Sequence, residues 1–403
     1  YLPQGATDRV SESSRSSPSS PSSPGGAART AARRVGLVLG GGGLKGFAHI
    51  GVLQAMEERG IAPAVYAGTS IGALMATAHA FGVSTAEMAD RAERLRRRDL
   101  FRINHVGMIV DRMRSTSLYL EEPLRHLVRA VVPHRRLNES AVPVLVNTVD
   151  LERATQVVWG LPGLDDVWAD EAVYASCSLP GFFPPGRVRG RSCVDGGVVD
   201  NLPVAFPPLL GVDAIIAVDV GSTELAPVRD IAGQGFAAVF MRAATTMMSK
   251  LQGTHLAQRR GIPTLYVRPP ITGLDWFTFG RAAELVEIGH RAAQGALDAL
   301  DRIPQSGEGL YPRRPVVLEV DRRRCIGCGI CVALSSELMH LDAYGKAVPP
   351  REQLLWSPAD GEFVRHCPTQ AITVQDLGDP AVCDWAELPA REQVRRPRIR
   401  RRD

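Results

Sequence analysis

Val35-Gly36-Leu37-Val38-Leu39-Gly40-Gly41-Gly42-Gly43-Leu44-Lys45-Gly46 runs an apolar strand straight into a glycine loop, and a second short apolar run leads into Gly68-Thr69-Ser70-Ile71-Gly72. The second stretch has the G-x-S-x-G spacing of a nucleophile elbow, in which small flanking residues let the backbone turn sharply enough to expose the serine oxygen. The first offers backbone N–H groups where an oxyanion would form, because a chain without Cβ can adopt positive φ and bring several amides close to one charge. Together the two stretches read as a serine acyl hydrolase.

Working outward, the pattern alternates strand and helix. Val35–Leu39 reads as a buried strand, Phe47–Glu58 as a helix, and Ala64–Ala67 as the strand that enters the elbow. The helix after Ser70 would aim its N-terminal dipole at the serine. Further strands are expected at Val142–Asn147, Gln156–Trp159, Ile215–Val220 and Thr264–Val267, with helices at Thr85–Arg97, Pro123–Val131, Phe236–Gly253 and Arg281–Leu300. Such alternation implies an α/β layered sheet. Residues 1–34, rich in Ser, Pro, Gly and Arg, read as a disordered tail. The hydrolase domain then covers 35–300, a Pro- and Gly-rich linker 301–315, a second domain 316–376 and a basic tail 377–403.

Composition limits the function. The chain has 403 residues, 45% of them hydrophobic, enough for more than one core, and a formal charge of only +4. Scattered arginines without interleaved aromatics argue against a nucleic-acid partner. No run reaches the roughly 20 apolar residues that span a bilayer, and Arg33-Arg34 precedes the strand of the site itself, so an export signal is rejected. Seven cysteines, four of them in a cluster pattern, point to a reducing compartment, hence a cytoplasmic protein with peripheral membrane contact as the only membrane role.

A serine nucleophile needs a base. Nine histidines are present, none in a triad context, and His49 reads as a packed core histidine. Val194-Asp195-Gly196-Gly197 is the stronger candidate, since two glycines after the carboxylate permit close approach of another loop. The glycine loop lacks the G-x-G-x-x-G register of a dinucleotide site.

The motifs at Gly41–Gly46, Gly68–Gly72 and Asp195–Gly197 resemble, in order, the three signatures of the patatin-like phospholipase family. Ala175-Ser176-Cys177-Ser178-Leu179-Pro180-Gly181-Phe182-Phe183-Pro184-Pro185 and Asn201-Leu202-Pro203-Val204 are similar to its bacterial members. The resemblance spans Val35 to Leu300. It implies a three-layer α/β/α fold acting on a lipid or acyl-ester substrate, with Ser70 as nucleophile, Asp195 as base and the Gly41, Gly42 and Gly43 amides as oxyanion hole. Lys45, Gly46, Gly68, Gly72, Gly196 and Gly197 would support the motifs. The bland alternative is a pseudoenzyme. Cys177 and Cys193 read as small buried hydrophobes, and Met241, Met247 and Met248 with Phe236 and Phe240 as core packing. The Arg91–Arg98 run, followed by Leu100, Phe101 and Ile103, reads as a solvated helix face ahead of a membrane-surface one.

Past the linker the chemistry changes. Cys325, Cys328 and Cys331 form C-x2-C-x2-C, and Cys367-Pro368 supplies a distant fourth thiolate. Such spacing wraps a cubane rather than a zinc ion, which more often shows two C-x2-C pairs. Residues 316–374 resemble the single-cluster bacterial ferredoxins, which implies a small α+β domain, one 4Fe-4S cluster and a redox partner protein. Cys383 lies outside the pattern. Two functions follow: an acyl hydrolase with an iron-sulfur domain of redox or structural role, or a ferredoxin-type electron carrier with a hydrolase-like docking domain.

Overall fold

The computed structural model describes residues 33–103, 117–221, 230–235, 238–240, 242–248, 251, 263–271, 274, 276–303, 309–351, 353–356, 363–377 and 384–387. Residues 1–32 of the expected tail, most of the basic C-terminal tail, Phe236, Met241 and Cys383 lie outside that set.

The N-terminal half is built on β1 (Val35–Leu39), β2 (Val65–Thr69), β3 (Val144–Asp150), β4 (Thr155–Trp159), β5 (Gly186–Val188), β6 (Arg191–Asp195), β7 (Ala214–Val218) and β8 (Thr264–Val267). The sheet order is β8-β7-β1-β2-β3-β6-β5, with β4 also on β3. Strands β8, β7, β1, β2 and β3 are parallel, whereas β4 and β6 run antiparallel to β3. The central strands are buried throughout, which explains why they read as unbroken apolar runs rather than alternating ones.

Successive side chains point to opposite faces. Leu37 and Leu39 join a core with α1 (Ala48–Glu58), α2 (Ile71–Ala80) and the Ala169–Cys177 and Ala282–Leu297 helices. Val38, Val65, Ala67 and Ile215 face the other way, against Leu202 and Val204 and the partly buried Phe206, Leu210 and Val212.

The helix expected over Thr85–Arg97 ends at Arg94 as α3 (Thr85–Arg94), because Leu95 is extended at φ −63°, ψ 129°. It restarts as α4 (Arg97–Leu100), where the Asp99 carboxylate accepts the Arg96 N–H at 2.9 Å and fixes the new helix start.

The expected linker holds a strand. β9 (Gly309–Val320) begins parallel to β8, with Gly309 opposite Thr264. It then pairs with β12 (Gln353–Trp356) and β13 (Ile372–Asp376), which follow a small hairpin of β10 (His340–Leu341) and β11 (Ala347–Val348), and with β14 (Asp384–Glu387). Pro312 and Pro315 read as breakers in sequence. They sit where partners change: β14 pairs with Leu310–Arg313, β12 with Arg314–Val317 and β13 with Val316–Val320. The cluster half has its own core of Val316, Leu318, Met339, Phe363 and Ile372.

Candidate active site and cysteine pocket

The topology brings Ser70 and Asp195 together. A strand has two edges, and β4 occupies one edge of β3 along Val146–Asp150. β2 and β6 therefore share the other: β2 ends with Thr69 opposite Asn147, and the antiparallel β6 ends with Asp195 opposite Thr148. Two strands running toward each other along one edge meet at adjacent rungs, and their next residues converge.

Ser70 occupies φ 55°, ψ −127°, a conformation that L-residues adopt only under constraint. The constraint is visible. A Cβ on Gly72 would lie 2.1 Å from the Leu39 carbonyl oxygen, and one on Gly68 would lie 2.5 Å from the Ala73 nitrogen. Only glycine on both sides lets the turn close against the end of β1. A Cβ on Gly46 would strike the Ile71 side chain at 2.3 Å, so that glycine lets the Gly43–Phe47 turn pack onto the residue after the serine.

The Ser70 hydroxyl lies near enough to the Asp195 carboxylate to favour its charged form, and Oδ1 of that carboxylate accepts the Gly197 N–H at 2.8 Å. Asp195 is 3% exposed. Burial pushes its carboxyl up to about 6, partly offset by the nearby Ser70 hydroxyl and the Gly197 N–H. A carboxyl poised there is ionised at neutral pH yet basic enough to take a proton from a hydroxyl as that hydroxyl attacks.

Behind the pair lies a segment whose role the sequence did not reveal. Ser176 Oγ accepts the Ser70 N–H at 2.9 Å and donates to the Asn147 carbonyl at 2.7 Å, while the Ser178 carbonyl accepts the Asp195 N–H at 3.0 Å. Burial holds the Cys177 thiol between them well above its usual range, with the nearby Asp195 charge adding to the rise, as an inert thiol. One short stretch thus grips both residues. Asn147 also donates to Thr69 Oγ1 at 3.1 Å and to the Asp200 carbonyl at 2.7 Å, and accepts from Gln156 at 2.9 Å.

The glycine loop requires a correction. The Gly41 N–H donates to the Asn201 carbonyl at 3.3 Å, and the Asn201 amide donates back to the Gly41 carbonyl at 3.0 Å. Gly41 is clamped rather than offered to a ligand. Among the described residues, the Gly42 and Gly43 amides donate to no backbone carbonyl, while Leu44 N–H is bound to Trp276 O at 2.7 Å. Gly43 sits at φ 58°, and a Cβ there would lie 2.4 Å from the same Trp276 oxygen. Lys45 is buried in the turn at 4% exposure. His49 is fully buried, its Nε2 donating to Gly40 O at 2.8 Å, and burial lowers it to about 4, so it is a neutral brace under the loop, as read from sequence.

Met248 is buried, its Cε beside Gly197, but Met247 is 61% exposed and Phe240 37%. Spacing alone assigned all three to the core; the helical residues 242–248 turn Met247 outward instead.

In the cluster half, Cys325, Cys328, Cys331 and Cys367 line one cavity with Gly327, Gly329 and Ala371. The Ala347 N–H points at Cys325 Sγ at 3.4 Å and the Ala371 N–H at Cys367 Sγ at 3.3 Å. For Cys367, burial raises the thiol, but bonds from Thr369, Ala371 and Ile372 outweigh it and hold it below the usual range. Gly327, at φ 73°, brings the loop so near Gly345 that a Cβ would lie 2.4 Å from its oxygen. No three His, Cys, Asp or Glu side chains among the described residues are grouped to hold a single metal ion. Four cysteines lining one cavity, with amides directed at two of their sulfurs, suit the thiolate ligands of an iron-sulfur group.

Residues 37–207 match the family model for patatin-like phospholipase. This chain carries a patatin-like phospholipase domain. Residues 318–356 match a second family model, the 4Fe-4S single cluster domain, which places three of the four cysteines inside the match. The patatin-like domain is similar to lysophospholipase nte1 of Aspergillus fumigatus, 31% identical over 68% of this chain and 19% of that protein. It is also similar to an uncharacterized NTE family protein of Mycobacterium tuberculosis, 35% identical over 50% of this chain and 53% of that one. The chain thus spans about a fifth and about half of these curated relatives. Among solved structures, VipD from Legionella pneumophila aligns over 67% of either chain at 18% identity and a TM-score of 0.38. No helix among the described residues is long and apolar enough to cross a membrane.

Proposed function

We propose that this chain is a serine esterase acting on lipid acyl esters, with Ser70 as nucleophile and Asp195 as its base. The observation that carries the reading is the strained Ser70 set beside the buried Asp195 carboxylate. Strain of about 1–3 kcal/mol persists only where the surroundings enforce it, and a docking scaffold would have no use for it. The reading is supported by a relative whose name is lysophospholipase.

Asp195 takes the Ser70 proton as Oγ attacks the ester carbonyl. The Gly42 and Gly43 amides hold the oxyanion, aided by the N-terminal dipole of α2. The protonated Asp195 then gives its proton to the departing alcohol, leaving an acyl-serine. Water, deprotonated by the same carboxylate, releases the fatty acid and restores Ser70.

In this reading Cys325, Cys328, Cys331 and Cys367 hold one 4Fe-4S cluster, which when bound supplies one-electron chemistry or a covalent brace. Cys328 is exposed, as is the neighbouring Ile326 at 65%, so a redox partner protein has access to that edge.

The test is hydrolysis of a medium-chain acyl ester by anaerobically purified protein, with cluster absorbance followed in parallel. Ser70→Ala should abolish turnover with the absorbance unchanged. Wild-type protein with a full cluster but no hydrolysis at any chain length would defeat the hydrolase reading.

A further inference from the structure

Five of the large apolar side chains that stand exposed on this protein fall in two neighbouring segments: Ile103 at 49%, Val239 at 43%, Phe240 at 37%, Met247 at 61% and Leu251 at 39%. Solvent-facing positions of a surface helix are ordinarily polar. Within helical residues 242–248 the inward positions are Thr245 and Met248, and the outward ones are Ala243, Thr246 and Met247, none of them charged.

The two segments adjoin each other through the loop next to the dyad. Ile103 is bridged to Tyr119, whose N–H donates to Phe182 O at 2.9 Å, and the neighbouring Gly181 would place a Cβ 3.3 Å from the Phe240 ring. Gly181 follows closely on the Ser176–Ser178 stretch that grips Ser70 and Asp195. On the other side, Met248 Cε would lie 2.7 Å from a Cβ on Gly197, two residues past Asp195. Phe240 and the helix that carries Met247 and Met248 therefore lie against the Gly181 and Gly197 loops, which lead away from the Ser176–Ser178 stretch and from Asp195.

Their border is basic. Arg97 lies over the Phe101 ring at 5.6 Å, and Phe101 packs on Phe183 at 6.1 Å. Arg98 is 88% exposed, Arg94 is 78% exposed, and Arg102 precedes Ile103. Arg94–Arg102 holds five arginines against Asp99, with Asp90 and the exposed Glu93 just before it, and Arg94 and Arg98 pair with Asp90 and Asp99.

We propose that Ile103, Val239, Phe240, Met247 and Leu251, bordered by Arg97, Arg98 and Arg102, form a docking surface for an anionic lipid interface around the mouth of the site. The proposal rests on the lipid-esterase reading for its biological sense, though not for its geometry. Apolar side chains enter the acyl boundary while guanidinium groups meet headgroup phosphates, the arrangement by which an amphipathic surface holds to a membrane without spanning it. An ester then reaches Ser70 from the lipid phase without crossing water.

The experiment is co-sedimentation of the full-length Ser70→Ala chain with phosphatidylcholine vesicles, with and without phosphatidylglycerol. The chain should pellet with the anionic vesicles and much less with the zwitterionic ones, and added salt should release it. Arg98→Glu should weaken partition about fivefold or more, the worth of one basic group near a charged surface. Met247→Asp should abolish it while wild-type protein bearing that change still hydrolyses a water-soluble short-chain ester at the normal rate. Equal pelleting of the Met247→Asp and parent chains would overturn the proposal. So would a chain that hydrolyses the soluble ester yet ignores anionic vesicles, or a dimer in solution that Met247→Asp disperses, since a second copy would then cover the patch. Vesicle binding by a wild-type chain without esterase activity would support the docking surface and defeat the hydrolase reading alone.

Discussion

Asp195 carries opposing consequences for activity and stability. As a base it must be ionised, so kcat/KM should rise with pH through about 6, the value to which burial raises its carboxyl. A pH profile flat from 5 to 8 would remove Asp195 from that role. The stability linkage has the other sign. A folded pKa above the unfolded 3.8 means that the buried group favours folding most fully below about 4, and that this contribution is lost as pH rises through about 6. At pH 7.5 the charged carboxylate thus costs up to on the order of 3 kcal/mol. Asp195→Asn should accordingly lose nearly all turnover and melt at a higher temperature than wild type at pH 7.5, with the gain shrinking toward pH 4. Ser176 acts one step removed. With its hydroxyl gone, the Ser70 N–H is unsatisfied and the strained turn loses its anchor. Ser176→Ala should lower kcat by about tenfold or more through the loss of roughly 1–3 kcal/mol of positioning, with KM and the pH midpoint near their wild-type values, and Ser176→Thr should restore much of it. The turn at Ser70 was legible because glycine spacing announces a backbone constraint. Ser176 and Asn201 were not, since a serine that accepts an amide proton from a loop 106 residues away leaves no local signature. The Gly41 amide was misread for the same reason: only its partner, Asn201, reveals that it is already bound.

At the scale of elements, sequence gave the central strands well because burial on both faces makes them continuous apolar runs; β1 and β8 have the expected bounds. β5 and β6 were missed. Arg191-Ser192-Cys193-Val194-Asp195 is short and half polar, and it becomes a strand only by pairing with β3. The Ala169–Cys177 helix was missed too, its small and mixed side chains giving little periodicity. Helix packing was equally hidden. α1 crosses the Ala282–Leu297 helix at a pair of glycines, where a Cβ on Gly289 would lie 1.9 Å from Ala48 O and one on Gly51 1.9 Å from Val286 O. Gly289→Ala would force the helices apart, at about 1–3 kcal/mol of overpacking. Because α1 also carries His49 beneath Gly40, the same change should slow ester hydrolysis as well as lower Tm. A Gly289→Ala protein with unchanged Tm would show that the crossing is loose.

For the whole molecule, the decisive feature is β9, because it turns an expected linker into a shared strand. Its twelve residues extend about 40 Å at ~3.3 Å each. It begins beside β8, whose C-terminal end leads toward the catalytic loops, and finishes at Val320, one residue before Asp321, whose carbonyl accepts the Cys325 N–H at 2.9 Å. Being parallel to β8, it carries the cluster half past the same end of the sheet at which Gly40 and Ser70 leave their strands. Two lobes on a flexible tether would unfold separately. Two lobes sharing one strand lose pairing on both sides when either opens, so the chain should melt in a single calorimetric transition with equal calorimetric and van't Hoff enthalpies. Stripping iron with a chelator under air should then lower the Tm of that one transition, since the loop held by Cys325, Cys328 and Cys331 anchors the far end of β9. Two resolved transitions, with only the smaller responding to iron loss, would show that β9 does not couple the halves and that the hydrolase sheet ends in practice at β8.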